Sequence, residues 1–105
     1  MDTCLPTGRE YQILILTIWI LIKIEIMFYT YVLRSKVDSR LYKGHTSDLE
    51  NRLKEHNSGK TKSTKGYVPW KLVYFETFDT KEEAMNREKF FKSGIGREFL
   101  KNTIK

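Results

Sequence analysis

The apolar positions of this chain form one continuous run, then short alternating stretches, then helical stripes. Ile13 to Ile22 is broken only by Thr17 and is followed by Lys23-Ile24-Glu25-Ile26. A membrane-spanning helix needs about 20 apolar residues, and Lys23 and Glu25 cut this run short. Its length suits the core of a signal peptide. However, no small-residue cleavage site follows, and Arg9 is offset by Glu10. Met27 is therefore read as the natural start, with residues 1–26 as a hydrophobic N-terminal extension that reflects start-site choice. The alternative is a membrane segment joined from Tyr11 to Leu33, which would consume the first strand.

After Met27 the pattern changes. Phe28 to Arg34 is aromatic and β-branched and predicts a strand on which Tyr29, Tyr31 and Leu33 share a face. Lys36-Val37-Asp38-Ser39 is a polar turn, and Arg40 to Gly44 returns as the second strand of a hairpin. Ser47-Asp48-Leu49-Glu50 carries the signature of a capping box, so a helix is expected to start there and to end at Ser58-Gly59. A basic loop from Lys60 to Gly66 leads through Pro69-Trp70 to a third strand, Lys71 to Phe78. Thr80-Lys81-Glu82-Glu83 opens a second helix that runs to about Ser93, with Gly94 expected at C′. Gly96 to Lys101 predicts a short last helix. The order from Met27 is β-β-α-β-α-α, an α/β sandwich with a three-stranded antiparallel sheet flanked by helices.

Charge narrows the class. The chain has a net charge of +6, and residues 27–105 hold 17 basic against 10 acidic side chains. A small basic domain suits a polyanion such as nucleic acid, or an anionic surface. The single cysteine, Cys4, excludes an intrachain disulfide and a cysteine-based zinc site, and it fits a reducing cytoplasm.

Glu88 is the sharpest chemical clue. Ala84, Glu88, Phe91 and Ile95 follow the spacing of one helix face. A carboxylate within a buried stripe costs several kcal/mol unless it is paired or binds metal, so Glu88 either pairs with a core Arg, lies at the stripe's edge or holds a cation. Arg52 and His56 stand one turn apart on the first helix. They are either a phosphate-binding pair or a solvated flank in which Arg52 bonds Glu55 or Asp48. Tyr31 and Tyr42 are ordinary strand residues that can approach one rim across the hairpin. Lys60, Lys62 and Lys65, with Tyr67 and Trp70 nearby, combine phosphate-binding charge with stacking surface.

The ordered set Tyr31, Tyr42, Arg52, His56 and Glu88 resembles the GIY-YIG nuclease family, and most of all its small standalone bacterial, YhbQ-like members. The resemblance runs from about Phe28 to Ile104. Tyr29-Thr30-Tyr31 matches the first motif and Tyr42-Lys43-Gly44 the second. It implies a metal-dependent endonuclease that hydrolyses DNA phosphodiesters, in DNA repair or processing. Glu88 would hold Mg²⁺ or Mn²⁺, Tyr31 or Tyr42 would handle the attacking water, and Arg52 would stabilise the phosphorus centre, with His56 one turn away. Lys43, Gly44 and His45 at the rim, with Lys60, Lys62 and Lys65, are the expected DNA contacts. Gly44 lets the backbone pass where a side chain would intrude.

The resemblance calls for no small-molecule cofactor. His45 stands where DNA-repair members often carry lysine, which makes a weakly active or inactive nucleic-acid-binding module the alternative. The specificity domain of larger relatives has no counterpart in the sequence, so low sequence specificity is expected. The expected location is the cytoplasm, with membrane association only through residues 11–33 as the alternative.

Overall fold

The computed structural model describes residues 8–25 and 27–104. Helix α1 (Gly8–Glu25) precedes strands β1 (Phe28–Ser35) and β2 (Leu41–Thr46). Helix α2 (Leu49–Asn57), a 3-10 turn (Lys65–Tyr67) and strand β3 (Trp70–Phe78) follow. Helices α3 (Lys81–Lys92) and α4 (Gly94–Thr103) complete the order. From Phe28 onward this is the β-β-α-β-α-α order read from the sequence.

The sheet order is β2-β1-β3, and both pairings are antiparallel. The central strand is the most buried, and Val32 and Leu33 are fully buried. The β1–β2 turn closes on Ser39, a non-glycine residue at φ 66, with Ser35 N–H donating to the Arg40 carbonyl at 2.9 Å. Asp38 takes the Arg40 amide at 3.2 Å and its Nε at 2.7 Å, so the turn's own polar side chains close it.

Alternation along β1 divides the core in two. Tyr31, Leu33 and Trp70 pack on the α2 side with Tyr42, Leu49, Leu53, Tyr67, Val68 and Leu72. Val32, Phe91 and Leu100 pack on the α3/α4 side with Leu41, Val73, Tyr74, Phe90, Phe99 and Ile104. The register shifts where Val32 faces Tyr74 and Leu33 faces Leu72, which leaves Val73 as the extra residue. This bulge lets the neighbours Val73 and Tyr74 serve the same cluster. Arg87 lies over the ring of Phe90 and pairs with Glu76 at 2.7 Å, covering the edge of that cluster.

Three local expectations are corrected. The cap of α2 is Asp48 rather than Ser47, its carboxylate accepting the Asn51 amide at 3.1 Å. Gly94 is not a C′ residue of α3 but the first residue of α4. Ser93 breaks the chain there at ψ 165 and caps the Gly96 amide at 3.1 Å. Ile95 therefore leaves the Ala84–Glu88–Phe91 stripe and is 76% exposed. At Gly96 a Cβ would lie 1.7 Å from the Phe90 carbonyl oxygen, so only glycine lets α4 cross the end of α3 this closely.

Helix α1 stands apart from this arrangement. Its apolar side chains, from Tyr11 to Leu21, are exposed all round. The radius of gyration is 19.2 Å, against about 13 Å for a compact chain of this length. The helix ends at Glu25 and Phe28 opens β1, so Tyr11 to Leu33 is not one continuous helical segment. No helix among the described residues is long and apolar enough to cross a membrane.

Candidate active site

Tyr31 lies at the centre of β1, 1% exposed, and its partner across the hairpin is Gly44. A Cβ on Gly44 would sit 2.6 Å from the Tyr31 hydroxyl oxygen. The glycine is thus the space the phenol occupies. Tyr42, two residues earlier on the same face of β2, places its ring 6.3 Å from that of Tyr31. His56 projects from α2 between the two tyrosines, with its ring 4.7 Å from that of Tyr42. Its Nε2 is 3.0 Å from the Tyr31 hydroxyl and its Nδ1 is 2.9 Å from the Thr64 hydroxyl.

Arg52, one turn earlier on α2, brings its positive charge close to the same phenol. It also makes a 3.5 Å pair with Glu55, one of the two partners expected for a solvated flank. Burial pushes the Tyr31 hydroxyl up to about 12, with Tyr42 and Glu88 adding to the rise and Arg52 opposing it. Burial also lowers the His56 imidazole, helped by the Arg52 charge and opposed by Glu55. Around neutral pH the pair is therefore a neutral phenol and a neutral imidazole.

Glu88 approaches from the opposite side of the sheet. Lys43 and His45 alternate with Tyr42 and Gly44 along β2, so they face α3. The Glu88 carboxylate takes His45 Nδ1 at 2.7 Å and Lys92 Nζ at 2.7 Å. Burial raises its pKa, but the bonds from Lys92 and His45 outweigh that and hold the carboxyl below its usual range. Lys43 is lowered first by burial and then by the charges of Arg97 and Lys92, so three cations lie near one another, and one of them, Lys92, bonds Glu88.

The expected set thus meets around the outer strand β2 rather than on one face. Tyr31, Tyr42, Arg52 and His56 stand on the α2 side, and Glu88, Lys43 and His45 on the α3 side. Gly44, the β2 residue opposite Tyr31, carries no side chain and lets the phenol lie against the β2 backbone. The Glu88 charge is felt at Tyr31.

Lys60, Lys62 and Lys65 are exposed on the loop that Thr64 anchors beneath His56. The Trp70 indole donates to the Thr64 carbonyl at 2.9 Å, and Asn57 clamps both backbone groups of Trp70. An apolar groove of about 640 Å³ beside the start of α2, lined by Tyr29, Leu49, Leu53 and Phe75, contains none of the expected site residues.

Among the described residues no three His, Cys, Asp or Glu side chains converge. The donor set fits a hard cation held by one ionised, mostly buried carboxylate and otherwise by water and phosphate oxygens. Sequence reasoning missed Thr64, Lys92 and Arg97. The i, i+4 spacing of Glu88 and Lys92 was a readable signal for that pair. Nothing local marks Thr64, one hydroxyl residue among several in a polar loop.

Residues 27–101 match the GIY-YIG catalytic domain. A UPF0213 protein of Clostridium perfringens is 51% identical over 67 residues, covering 63% of this chain and 71% of that protein. A UPF0213 protein of Haloquadratum walsbyi is 46% identical over 66 residues, covering 62% of this chain and 73% of that protein. The solution NMR structure of a UPF0213 protein from Bacillus halodurans is 40% identical, covers 73% of this chain and 84% of that one, and superposes with a TM-score of 0.46. With the family match extending over most of its length, the chain belongs to the GIY-YIG nuclease family and is related within it to the small UPF0213 proteins.

Proposed function

We propose that this chain is a metal-dependent endonuclease that hydrolyses DNA phosphodiesters with low sequence specificity, in repair or processing of DNA in the cytoplasm. Residues 27–105 form its catalytic unit, and residues 1–26 lie outside it. The main support is the meeting of Tyr31, Tyr42, Arg52 and His56 with Glu88 around the Gly44 edge of β2. Acid–base groups and a carboxylate then flank the same edge strand from its two sides.

In this reading Lys43, the Gly44 backbone and His45 contact the nucleic-acid backbone, with Lys60, Lys62 and Lys65 on the flanking loop. Lys92 and Arg97 add to the positive field on the Glu88 side. Tyr31 and Tyr42 hold the attacking water, and His56 accepts a proton through Tyr31. Arg52 donates to the phosphate oxygens as charge grows on them. Glu88 would hold Mg²⁺ or Mn²⁺, which when bound stabilises charge on the phosphate and the leaving oxygen. The water oxygen bonds to phosphorus, the bond to the leaving oxygen breaks, and a phosphomonoester and a free hydroxyl result.

The test is a cleavage assay with the full chain on supercoiled plasmid and on labelled single-stranded and branched DNA, with Mg²⁺, Mn²⁺ or EDTA. Metal-dependent nicking that is lost in Glu88→Ala, with the fold retained by circular dichroism, is the expected result. Cleavage by Glu88→Ala at the wild-type rate would sink the assignment.

One observation favours a second reading, a nucleic-acid-binding module without turnover. Glu88 is already bonded to both His45 and Lys92, so its charge is compensated without a cation. That reading predicts binding that weakens steeply with salt, and no product in any metal.

A further inference from the structure

We propose that Thr64 is a positioning residue that fixes the His56 proton on Nδ1 and so leaves Nε2 free to accept the proton of Tyr31. This inference rests on the nuclease reading of the same site. Thr64 and His56 are both fully buried, and Tyr31 is 1% exposed, so their protons must be satisfied by one another or by nearby protein groups. Two arrangements of the chain Thr64–His56–Tyr31 are conceivable.

In the first, Nδ1–H donates to the Thr64 oxygen at 2.9 Å, and the Thr64 hydroxyl donates to the Thr61 carbonyl at 3.3 Å. The Tyr31 hydroxyl then donates to the bare Nε2 at 3.0 Å, and its oxygen remains open to Arg52. Every proton has an acceptor. In the second, the Thr64 hydroxyl donates to Nδ1 and Nε2–H donates to the Tyr31 oxygen. His56 is the only hydrogen-bond partner of the Tyr31 hydroxyl among the described residues, and nearby Arg52 carries only donors, so the Tyr31 proton would then have no acceptor among them. Complete accounting of the buried protons selects the first arrangement.

The Thr64 hydroxyl is thus the group that turns the ring. Its carbonyl, held by the Trp70 indole at 2.9 Å and by the Tyr67 amide at 3.1 Å, keeps it in place. The direction of the relay follows. As the water oxygen bonds to phosphorus, a water proton passes to the Tyr31 oxygen, and the Tyr31 proton passes to Nε2. His56 becomes an imidazolium, and the leaving oxygen is protonated by solvent. After product departs, the imidazolium returns its proton through Tyr31 to water. Tyr31 need not rest as a phenolate, which suits a hydroxyl that burial has pushed up to about 12.

The experiment is ¹⁵N NMR of the histidine rings in the full chain, with His45 and His56 as its two histidines. Wild type, Thr64→Val and Thr64→Ser are compared, with His56→Gln for assignment, at a pH where the ring is neutral. The proposal expects an Nδ1–H tautomer for His56 in wild type and in Thr64→Ser. It expects a shift toward Nε2–H in Thr64→Val, with the fold preserved by Trp70 fluorescence. Cleavage should fall by about 10²-fold in Thr64→Val and recover most of the way in Thr64→Ser, because a base of the wrong tautomer loses its contribution.

Nε2–H in wild type overturns the proposal, and so does an unchanged tautomer in Thr64→Val. If Thr64→Val unfolds, the wild-type tautomer and the serine variant still decide. The spectroscopic result does not depend on turnover. A protein with the expected tautomers that cleaves no DNA therefore refutes the nuclease reading and leaves the hydrogen-bond assignment standing.

Discussion

On the α2 face of the sheet Tyr31, His56 and Thr64 are buried and uncharged, while on the α3 face Glu88, Lys43 and Lys92 are partly exposed and charged. The first group is held by short bonds whose protons have few places to go, so its protonation is set by packing. The second is held by Coulomb forces that solvent, salt or a bound cation can outcompete. The proposed site joins the two, with a rigid proton path on one side of β2 and an exchangeable cation site on the other. The division also explains why Glu88 reads as a buried anomaly in the sequence yet is comfortable in the fold. It sits at the margin of the core, between two nitrogen donors.

The largest expected effect comes from breaking the rigid side. Tyr31→Phe removes the hydroxyl that links water to His56, and cleavage should fall by about 10²–10⁴-fold. Tyr42→Phe, lacking a hydrogen bond to His56, should cost less. Single-turnover rates of the two variants decide between the tyrosines, and equal losses would mean that the phenols act as a pair.

A steric test comes next. Gly44→Ala pushes a methyl group against the Tyr31 hydroxyl oxygen and should destabilise the fold by about 1–3 kcal/mol, measured by urea unfolding. A neutral result would mean that the hairpin yields there and that the two faces are less rigidly divided than described.

Acid sharpens the contrast further. His56 titrates below its ordinary value in the fold, so the unfolded chain binds the proton more readily. The stability it contributes is fully present above about pH 6.5 and is lost as pH falls through the lowered folded value. Glu88 is also lowered, so its contribution is lost in a more acidic window, below the usual carboxylate value. Unfolding free energy against pH should show both declines, and His56→Gln should remove the first alone.

On the yielding side, Lys92→Ala frees one Glu88 oxygen. Its expected effect is modest, a severalfold lower Mg²⁺ concentration for half-maximal cleavage, because an exposed lysine contributes little to holding the carboxylate. The smallest effect is expected outside both faces. A chain begun at Met27 should keep its rate and, within a few degrees, its melting temperature, since none of the described α1 side chains belongs to either core cluster.

Much of this was readable residue by residue. Period-two alternation marks β1, and hydroxyl or carboxylate caps mark α2 and α3, because those signals act within a few residues. The pairing of Tyr31 with Gly44 follows from the hairpin, which is also local. What could not be read was which face each group serves. That Glu88 reaches the site from behind the sheet depends on β1 lying between β2 and β3, a non-local fact. Gly94 misled for a related reason. A glycine after a helix looks like a C′ residue until the next helix is known to start on it. Thr64 was invisible because its neighbour, His56, belongs to another element.

The position of β2 at the rim of the sheet has a further consequence. A strand with no neighbour on one side exposes a row of backbone donors and acceptors, and such a row invites another sheet to add to it. If two copies joined there, the opening around Gly44 would be covered. Lys43 lies in the middle of this strand on its α3 face, with Lys92 and Arg97 close by, so two such edges would bring like charges near one another. The cations that suit the site to a polyanion thus also discourage the chain from assembling with itself along the one edge it must keep open.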